Sequence, residues 1–314
     1  MKKDKIKLYL LTGFLGAGKT TLLQNLLEML SDKKAGIIVN EFGKLGVDGA
    51  VIKRDGLELI EINNGSIFCS CLEGSFIEKV VAFSKLPIDY LFVEASGLSD
   101  PSNMESILNQ VQRITNEAFE FKGSMGVVDA KNFSKLYKSL NTFQRQINYS
   151  NLIIINKIDL VPQQQVDEIV QKIQEVNPMA GIIKTSYCKL EQDILDTDFS
   201  SFRFPGPKTS NNCPTNRPEI FILKTDKKIT KKQVLDYSRA IAEDTYRIKG
   251  FVHLEESLYH LDCVENEVEI RQSKLSRDTS EIVVISKGSS NIKTILEQKW
   301  KEIIDVPLEV EVSN

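Results

Sequence analysis

Gly13-Phe14-Leu15-Gly16-Ala17-Gly18-Lys19-Thr20, followed by Thr21, is the stretch that decides the fold. It fits G-x-x-x-x-G-K-[ST], a loop whose backbone N–H groups wrap the β-phosphate of a nucleotide. On its amino side, Ile6-Lys7-Leu8-Tyr9-Leu10-Leu11 reads as a buried strand; on its carboxyl side, Thr21 to Leu30 carries leucines at helical spacing. Phosphates would therefore sit on a helix N-terminus, where unpaired N–H groups and the helix dipole favour negative charge. Gly13, Gly16 and Gly18, with the small Ala17, let the chain turn around the phosphate without Cβ clashes. Lys19 is expected to bridge the β- and γ-phosphates, and the Thr20 hydroxyl to ligate Mg²⁺. An accidental match occurs in roughly one chain in a hundred of this length at average residue usage, before strand and helix are required. The expectation is a nucleoside triphosphate site on an α/β sheet.

Bulk composition narrows the class. The chain has 314 residues, 26% of them charged and 41% hydrophobic, with a formal net charge of −3, so nothing calls for a nucleic-acid or anionic-membrane partner. No run reaches about 18 uninterrupted apolar residues, which excludes a spanning helix from the reading. Lys2-Lys3-Asp4-Lys5 before an apolar run imitates a signal peptide, yet cleavage there would destroy the phosphate loop. Five cysteines, an odd number, suggest a reducing cytoplasm rather than a disulfide framework.

Further along, Gly36 to Asn40 reads as a second buried strand running into Glu41-Phe42-Gly43-Lys44-Leu45-Gly46-Val47-Asp48-Gly49. That loop is placed to sense a γ-phosphate, the alternative being a plain acidic surface loop. Leu57 to Ile62 alternates as a strand does, and Cys69-Ser70-Cys71 follows soon after. Two thiolates one residue apart cannot share a metal from a regular helix but can from a loop; by itself C-x-C reads more simply as a buried small hydrophobe and an incidental thiol. Asp89 to Glu94 is an apolar strand ending in a carboxylate, the Walker B pattern with Glu94 in place of aspartate, expected to hold Mg²⁺. Asp100 before Pro101 is a candidate N-cap close to the γ-phosphate.

Gly126 to Asp129 ends another strand, and Asn151 to Ile155 is an apolar strand leading into Asn156-Lys157-Ile158-Asp159. This is N-K-x-D, and its chemistry selects guanine. The Asp159 carboxylate accepts from N1–H and the 2-amino group while the Lys157 stem covers the base; adenine has no N1–H and would strand the carboxylate. Ser186, with Thr185, stands where a backbone contact to the guanine O6 is expected. From Phe202 to Pro218 the density of proline, glycine and asparagine reads as a linker, giving a nucleotide-binding domain over 1–202, a linker over 203–218 and a smaller α+β domain over 219–314. In that second domain, Thr230 to about Asp244 is an amphipathic helix, short strands run from Tyr246 to Ile285, and Asn291 to Ile303 is a last helix with the only tryptophan, Trp300. His253 reads as a half-buried strand residue, and Arg247 with Lys249 as a solvated basic face.

Together these stretches resemble the CobW-type GTPases, relatives of the nickel-insertion GTPases of urease and hydrogenase maturation. The likeness rests on Gly13 to Thr20, on Asn40-Glu41-Phe42-Gly43 with Asp48, on Glu94 to Pro101, on Asn156 to Asp159, and on Arg247-Ile248-Lys249-Gly250. It implies a P-loop GTPase domain with a mostly parallel sheet, and a GTP-driven metallochaperone or cofactor-maturation factor with a client metalloprotein. In that family a C-x-C-C motif after Asn-Gly binds a transition metal. Here Ser66 and Phe68 occupy the first two cysteine positions, Cys69 matches, and Cys71 is displaced by two residues. A Zn²⁺, Co²⁺ or Ni²⁺ site at Cys69 and Cys71 would need Glu41, Glu73, a water or a partner's side chain to complete it. With no evident glutamine or arginine finger to assist, intrinsic GTP hydrolysis is expected to be slow, with Glu41 or Asp100 positioning water; a client or a second copy of the chain (a homodimer) is the remaining source of help. The rival reading is a GTP-dependent activator of a corrinoid or other metalloenzyme that carries no metal, with both cysteines structural.

Overall fold

A computed structural model describes residues 4–40, 57–62, 66–68, 72–197, 218–255, 257–273, 275, 277–288 and 291–313. The described residues form two compact units, one up to residue 197 and the other from residue 218.

The first unit is built on a seven-stranded sheet whose neighbours all run parallel. Its strands are β1 (Ile6–Gly13), β2 (Ala35–Asn40), β3 (Leu57–Ile62), β4 (Tyr90–Glu94), β5 (Phe119–Asp129), β6 (Leu152–Asn156) and β7 (Gly181–Lys184), in the spatial order β3-β2-β4-β1-β5-β6-β7. Parallel strands need crossovers, and helices on both faces bury the sheet, which is why its strands read as near-continuous apolar runs. In β1 the period of two is nevertheless visible in the packing. Tyr9 and Leu11 join a core with Leu22, Leu23 and Leu26 of α1 (Lys19–Met29), while Leu8 and Leu10 face Phe76, Val80 and Phe83 of α2 (Glu73–Phe83) and Ile107 and Val111 of α3 (Met104–Thr115). Between β5 and β6 lie α4 (Phe133–Ser139) and α5 (Asn141–Asn148), and α6 (Gln163–Val176) precedes β7. The strand expected to end at Gly126 to Asp129 begins seven residues earlier, at Phe119. Its first half carries Glu120 and Lys122, and the β1–β5 register shifts between Leu8 and Tyr9, so no clean apolar run marks its start.

The second unit is a six-stranded antiparallel sheet ordered β11-β10-β9-β12-β8-β13, from β8 (Ile220–Thr225), β9 (Thr245–Leu254), β10 (Ser257–Val264), β11 (Glu267–Gln272), β12 (Ser280–Ser286) and β13 (Glu309–Ser313). Two helices, α7 (Lys231–Ala240) and α8 (Ile292–Ile303), share one core with it, where Tyr237 meets Trp300 edge to face at 5.1 Å. A reciprocal capping box between Thr230 and Gln233 starts α7. His253 is half-buried on β9, its Nε2 2.6 Å from the Arg277 carbonyl. Arg247 and Lys249 correct the expectation of a solvated face. Lys249 is 6% exposed, and Arg247 makes a two-pronged bond to Asp262 from Nε (2.9 Å) and Nη2 (2.8 Å). Burial pushes the Asp262 carboxyl up, but the Arg247 charge and hydrogen bonds, with Lys249 and His260, outweigh it and hold the group below its ordinary value.

Candidate nucleotide site

The carboxyl ends of β1, β4, β5 and β6 lie side by side at the middle of the sheet, the edge at which parallel α/β sheets bind ligands. From β1 the glycine loop runs into α1, whose N-cap is Gly18 at φ 114°, with no side chain capping the first turn. Its first N–H groups are thus left for a ligand rather than for a serine or aspartate. No other residue fits at Gly18: beyond its left-handed φ, a Cβ would lie 2.6 Å from Asn156 Nδ2 and 3.0 Å from Cys188 Sγ. Lys19, 8% exposed, donates from Nζ to the Phe14 carbonyl at 3.2 Å, folded back over its own loop. Thr20 donates to Glu94 Oε1 at 3.0 Å, with Glu94 only 5% exposed at the end of β4. Two hard oxygen donors meeting beside a phosphate loop suit a Mg²⁺ ion, so the residues present fit the metal expected of them.

After Glu94 the chain turns sharply against the loop. A Cβ on Gly97 would come 2.6 Å from the Leu15 backbone N, so only glycine allows this approach. The turn is gripped from α5. Gln146, 2% exposed, donates from Nε2 to the carbonyls of Gly97 (3.1 Å) and Ser99 (3.0 Å). Asp100 is fully buried and does cap the short 3-10 turn at Pro101, accepting from the Ser102 N–H at 3.1 Å. Its other oxygen accepts from Arg145 Nη1 at 2.8 Å, so both oxygens of this expected water-positioning residue are engaged.

On the base side, Asn156 ties three segments together: its Nδ2 donates to the Ala17 carbonyl at 2.9 Å and its Oδ1 accepts the Cys188 N–H at 3.0 Å. Asp159 is exposed, and the Ser186 hydroxyl donates to its Oδ1 at 2.5 Å, orienting the carboxylate expected to read guanine. Tyr187 and Cys188 both have left-handed backbones (φ 57° and 51°), held by Asn25 of α1, whose Nδ2 donates to both their carbonyls at 3.0 and 2.8 Å. Burial pushes the Cys188 thiol up to about 12. Gly97 lay inside the Glu94 to Pro101 stretch that carries the resemblance, although its close approach to Leu15 was not foreseen. The sequence reading missed Asn25, Arg145, Gln146 and Cys188, none of which sits in a contiguous motif.

The expected metal-cargo residues Glu41, Cys69 and Cys71, and the rest of the Glu41 to Gly49 loop, lie outside the described residues. The described flanks of the cysteines are well fastened. Ser66, Ile67 and Phe68 are buried; Asn40 Oδ1 accepts the Ile67 N–H at 3.1 Å, Ser66 bonds Ser99 at 2.9 Å, and Asn103 Nδ2 donates to the Phe68 carbonyl at 3.2 Å. Glu73 accepts from Asn103 and Gln110 at 3.2 and 2.9 Å, which makes it a fastener between α2 and α3. Among the described residues no three His, Cys, Asp or Glu side chains cluster to hold a metal, and no helix is long and apolar enough to cross a membrane.

A glycine loop leaving the central strand of a parallel sheet, a strand-terminal carboxylate on its threonine, and N-K-x-D two strands away define a P-loop GTPase fold. The chain belongs to the CobW/HypB/UreG family: the model of that family's nucleotide-binding domain matches residues 7–184, and the model of the cobalamin synthesis protein cobW C-terminal domain matches residues 219–304. Zinc-regulated GTPase metalloprotein activator 1 of Schizosaccharomyces pombe is 30% identical over 206 residues, 62% of this chain and 50% of that protein. Zinc chaperone CobW of a Sinorhizobium species is 32% identical over 187 residues, 51% of this chain and 52% of that protein. The chain thus spans about half the length of these curated relatives. The crystal structure of Zn(II)-bound YjiA GTPase from E. coli aligns with a TM-score of 0.48 at 17% identity, covering 96% of this chain and 99% of that one.

Proposed function

We propose that this protein binds and slowly hydrolyses GTP, and uses that cycle to hand a transition metal to a client metalloprotein or cofactor-maturation pathway. The observation that carries the nucleotide half is Asn156, bonded at once to the phosphate loop through Ala17 and to the base-side loop through Cys188. It fixes a phosphate-binding element and a guanine-reading element at one spacing. Gly13 to Thr21 would cradle the α- and β-phosphates, and Lys19 would leave the Phe14 carbonyl for the β/γ oxygens. Thr20 and Glu94 would hold Mg²⁺, which neutralises phosphate charge as the γ-phosphoryl group passes to water. Asp159, steadied by Ser186, would accept from guanine N1–H and N2–H, and Lys157 would cover the base face.

Asp100 acts in this reading as an anchor for the turn after Glu94, since its oxygens already serve Ser102 and Arg145; Glu41 is left as the water-positioning candidate. The cargo is a soft or borderline metal such as Zn²⁺, Co²⁺ or Ni²⁺, taken by Cys69 and Cys71, with Glu41 or a client side chain completing the set. The names of the zinc chaperone and metalloprotein-activator relatives support this half. Ser66–Ser99 and Asn103–Phe68 support a coupling between the cysteine segment and the turn after Glu94. Hydrolysis that relaxes that turn would then alter how the metal is held. The division into 1–202, 203–218 and 219–314 belongs to the same proposal.

Replacing Asp159→Asn tests the nucleotide assignment. Its amide pairs with xanthine rather than guanine, so preference should move from guanosine to xanthosine triphosphate by about 100-fold or more. An unchanged preference would refute GTP as the substrate.

A further inference from the structure

Asp129 takes no part in the nucleotide reading above, yet it stands beside the guanine-reading loop. It closes β5 as the register partner of Asn156, which closes β6, and the Ala130 N–H donates to the Asn156 carbonyl at 3.0 Å. The residue is 4% exposed. Its Oδ1 accepts the Lys131 N–H at 2.9 Å, while Oδ2 accepts from Asn132 Nδ2 at 3.1 Å and from Lys157 Nζ at 2.7 Å. Lys157 itself has a left-handed backbone, φ 61° and ψ 33°, a conformation that a side-chain-bearing residue enters at a cost. A buried carboxylate and a strained lysine, 28 residues apart in sequence, are thus paired at the site's rim. Each alone is unfavourable, and such combinations gather where geometry matters for function.

A free lysine side chain samples many rotamers and loses them when a base settles on its stem. One already clamped at its ammonium has lost them beforehand, and binding is correspondingly tighter. We propose that Asp129 is a positioning residue for base recognition: it clamps Lys157 Nζ so that the methylene stem is a fixed platform for the guanine face before nucleotide arrives. This rests on the assignment of Asn156 to Asp159 as the guanine loop. Asp129 touches no nucleotide atom in this scheme; it acts through Lys157.

A double-mutant cycle decides it, with GDP affinity measured for the parent, Asp129→Asn, Lys157→Met and the double variant, and ADP measured on the parent. Asp129→Asn retains an oxygen for the Lys131 N–H, so the turn into α4 is kept while the clamp is lost. GDP affinity should fall roughly three- to ten-fold. In the Lys157→Met background the same change should alter GDP affinity less than about two-fold, because no ammonium remains to be clamped. An equal loss in both backgrounds would mean that Asp129 only supports the fold and would overturn the proposal. If Asp129→Asn does not fold, Asp129→Glu, which keeps the charge but moves it by one methylene, is run through the same cycle with the same two outcomes. A parent that prefers GDP to ADP while the cycle is additive refutes the clamp alone; a parent that binds both equally refutes the guanine assignment and the clamp with it.

Discussion

Cys188 illustrates how a single side chain is shaped by the loop it lies under. Its Sγ is 3.4 Å from the Gly18 carbonyl, its N–H belongs to Asn156, and the residue is wholly buried. Burial pushes its thiol from 9.0 up to about 12, and does the same for Cys263 in the second unit. The sign of the consequence follows from proton counting. Between the ordinary thiol value and about 12 the folded state keeps protons that the unfolded chain releases, so stability is full below pH 9 and falls as pH rises above it. Buried Tyr237, raised for the same reason, adds to the fall at the alkaline end. Denaturation midpoints measured from pH 8 to 11 should therefore decline, and a Cys188→Ala/Cys263→Ala variant should decline less steeply. Both thiols should be inert to a disulfide reagent at pH 8 until the protein is unfolded. None of this was readable beforehand. Cys188 sits in no motif, and its partners Gly18 and Asn156 lie 170 and 32 residues away.

At the scale of elements, α5 is the piece that the sequence concealed and the site depends on. It has eight residues with Phe143, Gln146 and Ile147 buried along one face, but the groups that grip the site are two polar side chains, which an apolar period does not single out. Gln146 holds the Gly97 and Ser99 carbonyls; Arg145 holds the fully buried Asp100. Removing the guanidinium from a buried carboxylate is costly, so Arg145→Met should lower unfolding stability by about 3 kcal/mol in a denaturant titration. If Asp100 is an anchor, Asp100→Asn should lose a comparable amount; a stable Asp100→Asn protein with hydrolysis abolished would instead return it to a role with water. By contrast, the phosphate loop, the Glu94 strand and N-K-x-D were legible because each is contiguous and its chemistry demands a fixed spacing after a buried strand. Asp129 ended such a strand too, but no neighbouring residue named its partner. The strand β13 was missed for another reason. Glu309–Ser313 is five residues at a sheet edge, Glu-Val-Glu-Val-Ser, whose alternation is too short to separate from a loop.

For the molecule as a whole, two sheets of opposite character divide the chain. The parallel sheet brings the carboxyl ends of its central strands together at one edge, where the candidate nucleotide site lies, and the antiparallel sheet buries its own core around Trp300. The described residues of the first unit also link the ends of the site to one another: Asn40 to Ile67, Ser66 to Ser99, Ser99 to Gln146, Asn103 to Phe68. A segment pinned so closely to the turn after Glu94 is sensitive to what that turn contacts, and coupling of this kind is reciprocal: a nucleotide that changes metal affinity must have its own affinity changed by metal. The central claim is that GTP state governs metal binding at Cys69 and Cys71. Its most direct test is a Zn²⁺ titration of the reduced protein, loaded with GDP or with a non-hydrolysable GTP analogue, alongside a Cys69→Ala/Cys71→Ala variant. The account predicts zinc affinities that differ between the two nucleotides by about five-fold or more in the parent, and loss of that site in the variant. The same zinc affinity and stoichiometry with either nucleotide, unchanged by removing both cysteines, would contradict it.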